Sequence, residues 1–111
     1  MNLIFMTNNN MYFIANWKMH GNTKDIDGSK SLIRLLKSKK YKNQKIIYCP
    51  PYTLLNYFFK KVKNSKILIG AQNCHENSDY GPFTGSINSK LIKSTGAKFV
   101  IIGHSENRAQ G

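Results

Sequence analysis

Acidic residues are scarce in this chain: 5 Asp or Glu stand against 17 Lys or Arg in 111 residues, for a formal net charge of +12. Arginine is scarcer still. Arg34 and Arg108 are alone among lysines scattered along the sequence, whereas base reading and bidentate phosphate clamping favour Arg. The positive excess therefore reads as a solvated surface, and nucleic acid is set aside as a partner. Of the two cysteines, Cys49 and Cys74, each lies in its own apolar stretch without CxxC spacing. That excludes a zinc-ligand pattern and a disulfide scaffold, and it fits a reducing, cytoplasmic setting with no metal. Long hydrophobic runs are missing as well. Phe99 to Ile102 falls far short of the roughly 20 apolar residues of a membrane-spanning helix, so no membrane partner is expected. Nor does the chain contain GxxxxGK[ST], GxGxxG, HExxH or GxSxG, so nucleotide cradles, zinc proteases and serine hydrolases have no positive support.

What is present suffices for one small domain, since apolar residues make up 41% of the chain and aromatics 12%. Residues 1–10 read as an N-terminal extension. Their apolar stretch Leu3–Met6 is shorter than the about 7–15 residues of a secretory core and has no basic residue before it. The polar run Thr7–Asn10 then separates it from a domain spanning 11–111, which leaves Met1 and Met11 both as candidate starts.

Four apolar runs follow: Tyr12–Ala15, Ile46–Cys49, Ile67–Ala71 and Phe99–Ile102. Each is continuous rather than alternating, the habit of parallel strands covered on both faces. The intervening segments carry helix signals. Asn22 or Thr23 can cap a first helix with Asp25 and Asp27 in its opening turn, apolar Ile26, Leu32, Ile33, Leu35 and Leu36 along it, and Lys37, Lys39 and Lys40 at its end. A second begins after Pro50-Pro51 with Leu55, Phe58, Phe59 and Val62 on one side. A third buries Leu91 and Ile92 and stops at Gly96, a residue suited to a left-handed cap. The resulting alternation defines an α/β domain of four parallel strands with crossover helices.

In such folds ligands bind where strands end. The residues there are Asn16, Trp17 and Lys18; Pro50 and Pro51; Gln72 and Asn73; and Gly103 to Glu106. Lys18 can hold an anion as a point charge, and Asn16 can orient it. His104 directly follows a buried strand and precedes a helix start, whose dipole disfavours imidazolium and keeps the ring a neutral donor. His20 and His75 read as surface residues of polar loops, and both cysteines as small buried hydrophobes.

Three segments together, Ala15-Asn16-Trp17-Lys18-Met19, Gly70-Ala71-Gln72-Asn73-Cys74 running on to Phe83-Thr84-Gly85, and Ile102-Gly103-His104-Ser105-Glu106, closely resemble the triosephosphate isomerase family. The resemblance covers Met11 to Gly111. It implies the first half of a (β/α)₈ barrel and the interconversion of dihydroxyacetone phosphate and glyceraldehyde 3-phosphate, a step of glycolysis and gluconeogenesis, without metal or cofactor. By matching motifs, Asn16 and Lys18 bind the phosphorylated triose, and Lys18 balances charge during catalysis. His104 is the catalytic electrophile, Glu106 the acidic partner of Lys18, and Thr84 belongs to the contact loop of a homodimer. Ser86 and Asn107 depart from the family pattern, which has Glu and Arg there in interface ion pairs. A whole barrel takes about 250 residues, so the resemblance implies a chain truncated after strand four. The family's glutamate base, lid loop and glycine-rich phosphate loop lie outside these residues. An isolated half-barrel is then expected to be inactive and to leave strands one and four with unpaired edges. The alternative is a non-catalytic half-barrel that serves as an assembly or interaction module.

Overall fold

A computed structural model describes the backbone of residues 2–7 and 9–111 and the side chains of residues 9–111. Its sheet has five strands in the spatial order β1 (Asn2–Thr7), β2 (Asn10–Asn16), β3 (Gln44–Cys49), β4 (Ile67–Ala71) and β5 (Phe99–Val100). From β2 to β5 all pairings are parallel, with Asn16 opposite Cys49, Tyr48 opposite Ile69, and Ala71 opposite Val100. These are the four strands that the apolar runs mark out.

The first strand is new. Six residues of the segment read as an extension, Asn2 to Thr7, pair antiparallel with β2, from Asn2 opposite Ala15 to Thr7 opposite Asn10. The expected unpaired edge on the first parallel strand is therefore covered. The chain reverses through Asn9, which has φ 64°, a backbone region that Asn tolerates better than most residues.

Helices α1 (Ser29–Leu36), α2 (Leu55–Val62) and α3 (Ser89–Ser94) follow β2, β3 and β4, and α4 (Ser105–Gln110) follows β5. Asn22 does cap the first crossover, but what it caps is a 3₁₀ segment, Thr23–Gly28. Its side chain accepts from the Lys24 N–H, while Asp25 accepts from the Asn22 N–H. Only then does α1 begin. Leu36 is buried, whereas Leu35 is 50% exposed, because a run of two leucines cannot place both on one helical stripe. For the same reason Ile92 is buried in α3 while its neighbour Leu91 is exposed.

The convex face of the sheet buries Ile67, Ile69 and Ala71 against Leu55, Phe58 and Val62 of α2, with Trp17 packed alongside. The Trp17 ring meets Phe58 edge-on at 5.0 Å between centroids. Successive strand residues face opposite ways, so Ile47 and Cys49 point to the concave face, and both are buried there. The curl of the sheet is what buries them. Tyr12 of β2 and Phe99 of β5, with two strands between them, come within 6.3 Å across the hollow. Gly70 lets the concave layer close, since a Cβ there would sit 2.9 Å from Cys49 Sγ and 3.2 Å from Phe99 Cβ.

The fourth run departs from expectation: β5 has only two residues in regular pairing, and both are exposed, as is Ile102. It lies at the end of the sheet, where among the described residues no further strand covers it. No helix among the described residues is long and apolar enough to cross a membrane.

Candidate active site

The ends of β2, β4 and β5 deliver their residues to one mouth. A cavity of about 250 Å³ is lined by Asn16, Lys18, Met19, Gln72, His104 and Glu106. Lys18 stands at its rim in a left-handed backbone conformation, φ 53°, which costs a non-glycine residue about 1–3 kcal/mol and persists only where the surroundings enforce it. Two side chains do so. The Lys18 N–H donates to Asn16 Oδ1 at 2.9 Å, and Gln72 Nε2 donates to the Lys18 carbonyl at 2.8 Å. The same Gln72 amide donates to the Cys49 carbonyl at 2.7 Å, so it ties three strand ends together. Asn16 thus has a definite positional task, and Gln72 is a residue to which the sequence alone assigned none. Its place directly after a strand was the signal.

The Lys18 ammonium pairs with the Glu106 carboxylate. Chiefly through this hydrogen bond, the Glu106 carboxyl is held down to about 2. A carboxylate so committed is a poor base near neutral pH.

His104 is the N-cap of α4, and its Nδ1 accepts the Asn107 N–H at 3.1 Å. A ring nitrogen that accepts from a backbone N–H carries no proton, so in the neutral ring the proton sits on Nε2. In that tautomer the ring offers Nε2–H as a hydrogen-bond donor. Glu106 Oε2 also lies 3.3 Å from His104 Nδ1; both are acceptors in this tautomer, so they share no hydrogen bond.

The loop after β4 is built separately. His75 is half-buried rather than a surface residue: its ring packs at a tilt against Phe83, centroids 4.6 Å apart, and its Nδ1 accepts the Asn77 N–H at 3.1 Å. Asn88 Nδ2 holds the Asp79 carbonyl at 2.9 Å, and Lys90 pairs with Asp79. Thr84 is exposed on this loop and does not line the Lys18–His104 cavity. His20 is exposed, Cys49 is buried, and Cys74 is half-buried with its Sγ–H directed to the His75 carbonyl.

A curled parallel α/β sheet with amide, ammonium and imidazole groups converging at its strand ends defines the N-terminal half of a (β/α)₈ barrel. Comparison with known proteins agrees. The family model for triosephosphate isomerase matches residues 11–111. Triosephosphate isomerase of Bartonella henselae is 41% identical over 97 residues, 86% of this chain and 38% of that protein. The Buchnera aphidicola protein of the same name is 36% identical over 97 residues, 87% of this chain and 38% of its own length. The crystal structure of the Bartonella henselae enzyme superimposes with a TM-score of 0.76 at 36% identity, over 87% of this chain and 39% of that one. The chain belongs to the triosephosphate isomerase family. It spans about 38% of the length of the curated relatives it matches.

Proposed function

We propose that these residues form the electrophilic half of a triose-phosphate isomerase site, acting on dihydroxyacetone phosphate and glyceraldehyde 3-phosphate in glycolysis and gluconeogenesis, in a cytoplasmic homodimer. The observation that carries this reading is the Nδ1 contact of His104. It leaves Nε2–H to donate to a carbonyl oxygen as the adjacent carbon loses its proton, and then to pass a proton between the two oxygens of the enediolate. Lys18 faces the same cavity and offsets the negative charge that develops there. Asn16 and Gln72 keep Lys18 in place, and Glu106 holds its ammonium.

Isomerisation also needs a base for the carbon-bound proton, and general-base catalysis contributes about 10²–10⁴-fold. Glu106 is the one carboxylate lining the cavity among the described residues, and it is committed to Lys18. These 111 residues therefore supply electrophile and charge but no base, and by themselves they turn over no substrate. The test is an isomerase assay of this chain alone and mixed with a polypeptide carrying the remainder of the Bartonella henselae barrel. Activity is expected only in the mixture, and His104→Gln should lower it by about 10²-fold or more. Turnover by the chain alone, or restored activity indifferent to His104→Gln, sinks the proposal.

A further inference from the structure

The lysines that look scattered along the sequence are gathered by the fold. Between Asp27 and Glu76 the chain has 11 cations and no carboxylate. Lys37, Lys39, Lys40 and Lys42 lie on the approach to β3, and Lys60, Lys61, Lys63 and Lys66 on the approach to β4. Because β3 and β4 are parallel, both approaches lie at the same end of the sheet. Lys66 Nζ joins them directly by donating to the Tyr41 carbonyl at 3.4 Å.

The acids are elsewhere. Asp25 and Asp27 precede α1, Glu76 and Asp79 follow β4, and Glu106 opens α4. These positions belong to the end where the strands finish. The ion pairs among the described residues, Lys18–Glu106, Lys30–Asp27 and Lys90–Asp79, are there too, and none involves a cation from Arg34 to Lys66. A helix dipole favours a lysine or two at each C-terminus. It does not account for eight lysines at one end without a counter-charge, which repel one another until an anion neutralises them.

We propose that this lysine end binds single-stranded nucleic acid through its phosphates, without sequence preference, at a site separate from the His104 cavity. Lysines act as point charges on phosphates, and Arg34, in the last turn of α1, is the single arginine at this end, so bidentate reading of bases has little to work with. Two tyrosines lie among them. Lys40 sits 5.5 Å over the Tyr41 ring and Lys61 5.4 Å over Tyr57; Tyr41 is half-buried against the core, whereas Tyr57 is exposed. An exposed tyrosine beside Lys61 suits a single strand, whose unpaired bases can stack on it. A lipid surface is less well matched, because the large exposed apolar side chains between Asp27 and Glu76 are Leu35 and the tyrosines Tyr52 and Tyr57.

The probe is a labelled oligouridine of about 20 nucleotides, followed by anisotropy from about 50 to 200 mM salt. Each neutralised phosphate of a single strand contributes about 0.7 to the log–log slope, so a slope between about −3 and −6 is expected. The double reversal Lys40→Glu with Lys61→Glu should weaken binding at least about tenfold and flatten the slope by about 1.4. Lys24→Glu with Lys30→Glu changes net charge equally at the acidic end and should change affinity less than about twofold. Tyr57→Ala should cost about fivefold with the slope unchanged. Circular dichroism checks that each variant is folded. Equal weakening by both double reversals, no binding at about 50 mM salt, or capture of phosphatidylserine vesicles in preference to the oligonucleotide would overturn the proposal.

Discussion

Lys18 and Glu106 lie 88 residues apart in sequence and form an ion pair across the mouth of the curled sheet. The pair spans from the end of β2 to the start of α4, and so joins the two ends of the parallel arc that Tyr12 and Phe99 also bridge.

The pair makes stability depend on acid. Glu106 is held at about 2, below the ordinary carboxyl value of 4.5, chiefly by the Lys18 hydrogen bond. A depressed carboxyl stabilises the fold fully above the unfolded value, and that stabilisation is lost as pH falls through the folded one. Urea midpoints of the wild type should therefore fall between pH 4.5 and 2 more steeply than those of Glu106→Gln. Parallel pH profiles for the two proteins would show that the pair contributes nothing.

His104 should display one tautomer. Nitrogen chemical shifts of the neutral ring are expected to show a bare Nδ1 and a protonated Nε2, because Nδ1 accepts the Asn107 N–H. An averaged or inverted pattern would contradict this geometry.

The two thiols should behave differently. Burial pushes the Cys49 thiol up to about 12, and the thiolate is the reactive form. Near pH 8, Cys49 should react with a thiol reagent at least about a hundredfold more slowly than the half-buried Cys74, and should catch up only when the chain unfolds. Two equally fast thiols in the native protein would mean that the concave layer is open.

Gly96 ends α3 with φ 96°, and a Cβ there would lie 2.3 Å from the Phe59 ring. Left-handed backbone strain and overpacking act together, so Gly96→Ala should destabilise by about 2–4 kcal/mol. Adding Phe59→Leu should recover part of the packing component and leave the backbone component. A denaturant midpoint for Gly96→Ala equal to wild type would rule out this close approach.

Much of this was legible in the residues. Continuous apolar runs marked the parallel strands, and the strand-end rule pointed to Asn16, Lys18 and His104 because each lies at or shortly after the C-terminal end of an apolar run. The double hydrogen bond of Gln72 was not legible, since it depends on two carbonyls more than 20 residues away. The gathering of the lysines was hidden for a similar reason: parallel strands bring distant approaches side by side. The extension carries no strand assignment from the sequence alone, yet its residues Asn2–Thr7 pair with β2, and an Asn-rich turn between two apolar stretches is a hairpin signal. The 3₁₀ segment before α1 has no distinct signal in the residues, because Asn22 and Asp25 form the same capping box that opens an α-helix.

A strand has two edges, and both edges of β2 are occupied, one by β3 and the other by β1. In a closed ring of eight parallel strands the first must pair with the last. The hairpin and the ring therefore compete for one row of backbone groups, and β1 has to be stripped from β2 before any eighth strand can take its place. The unit that serves as a lone sheet's edge guard is, for a barrel, a latch.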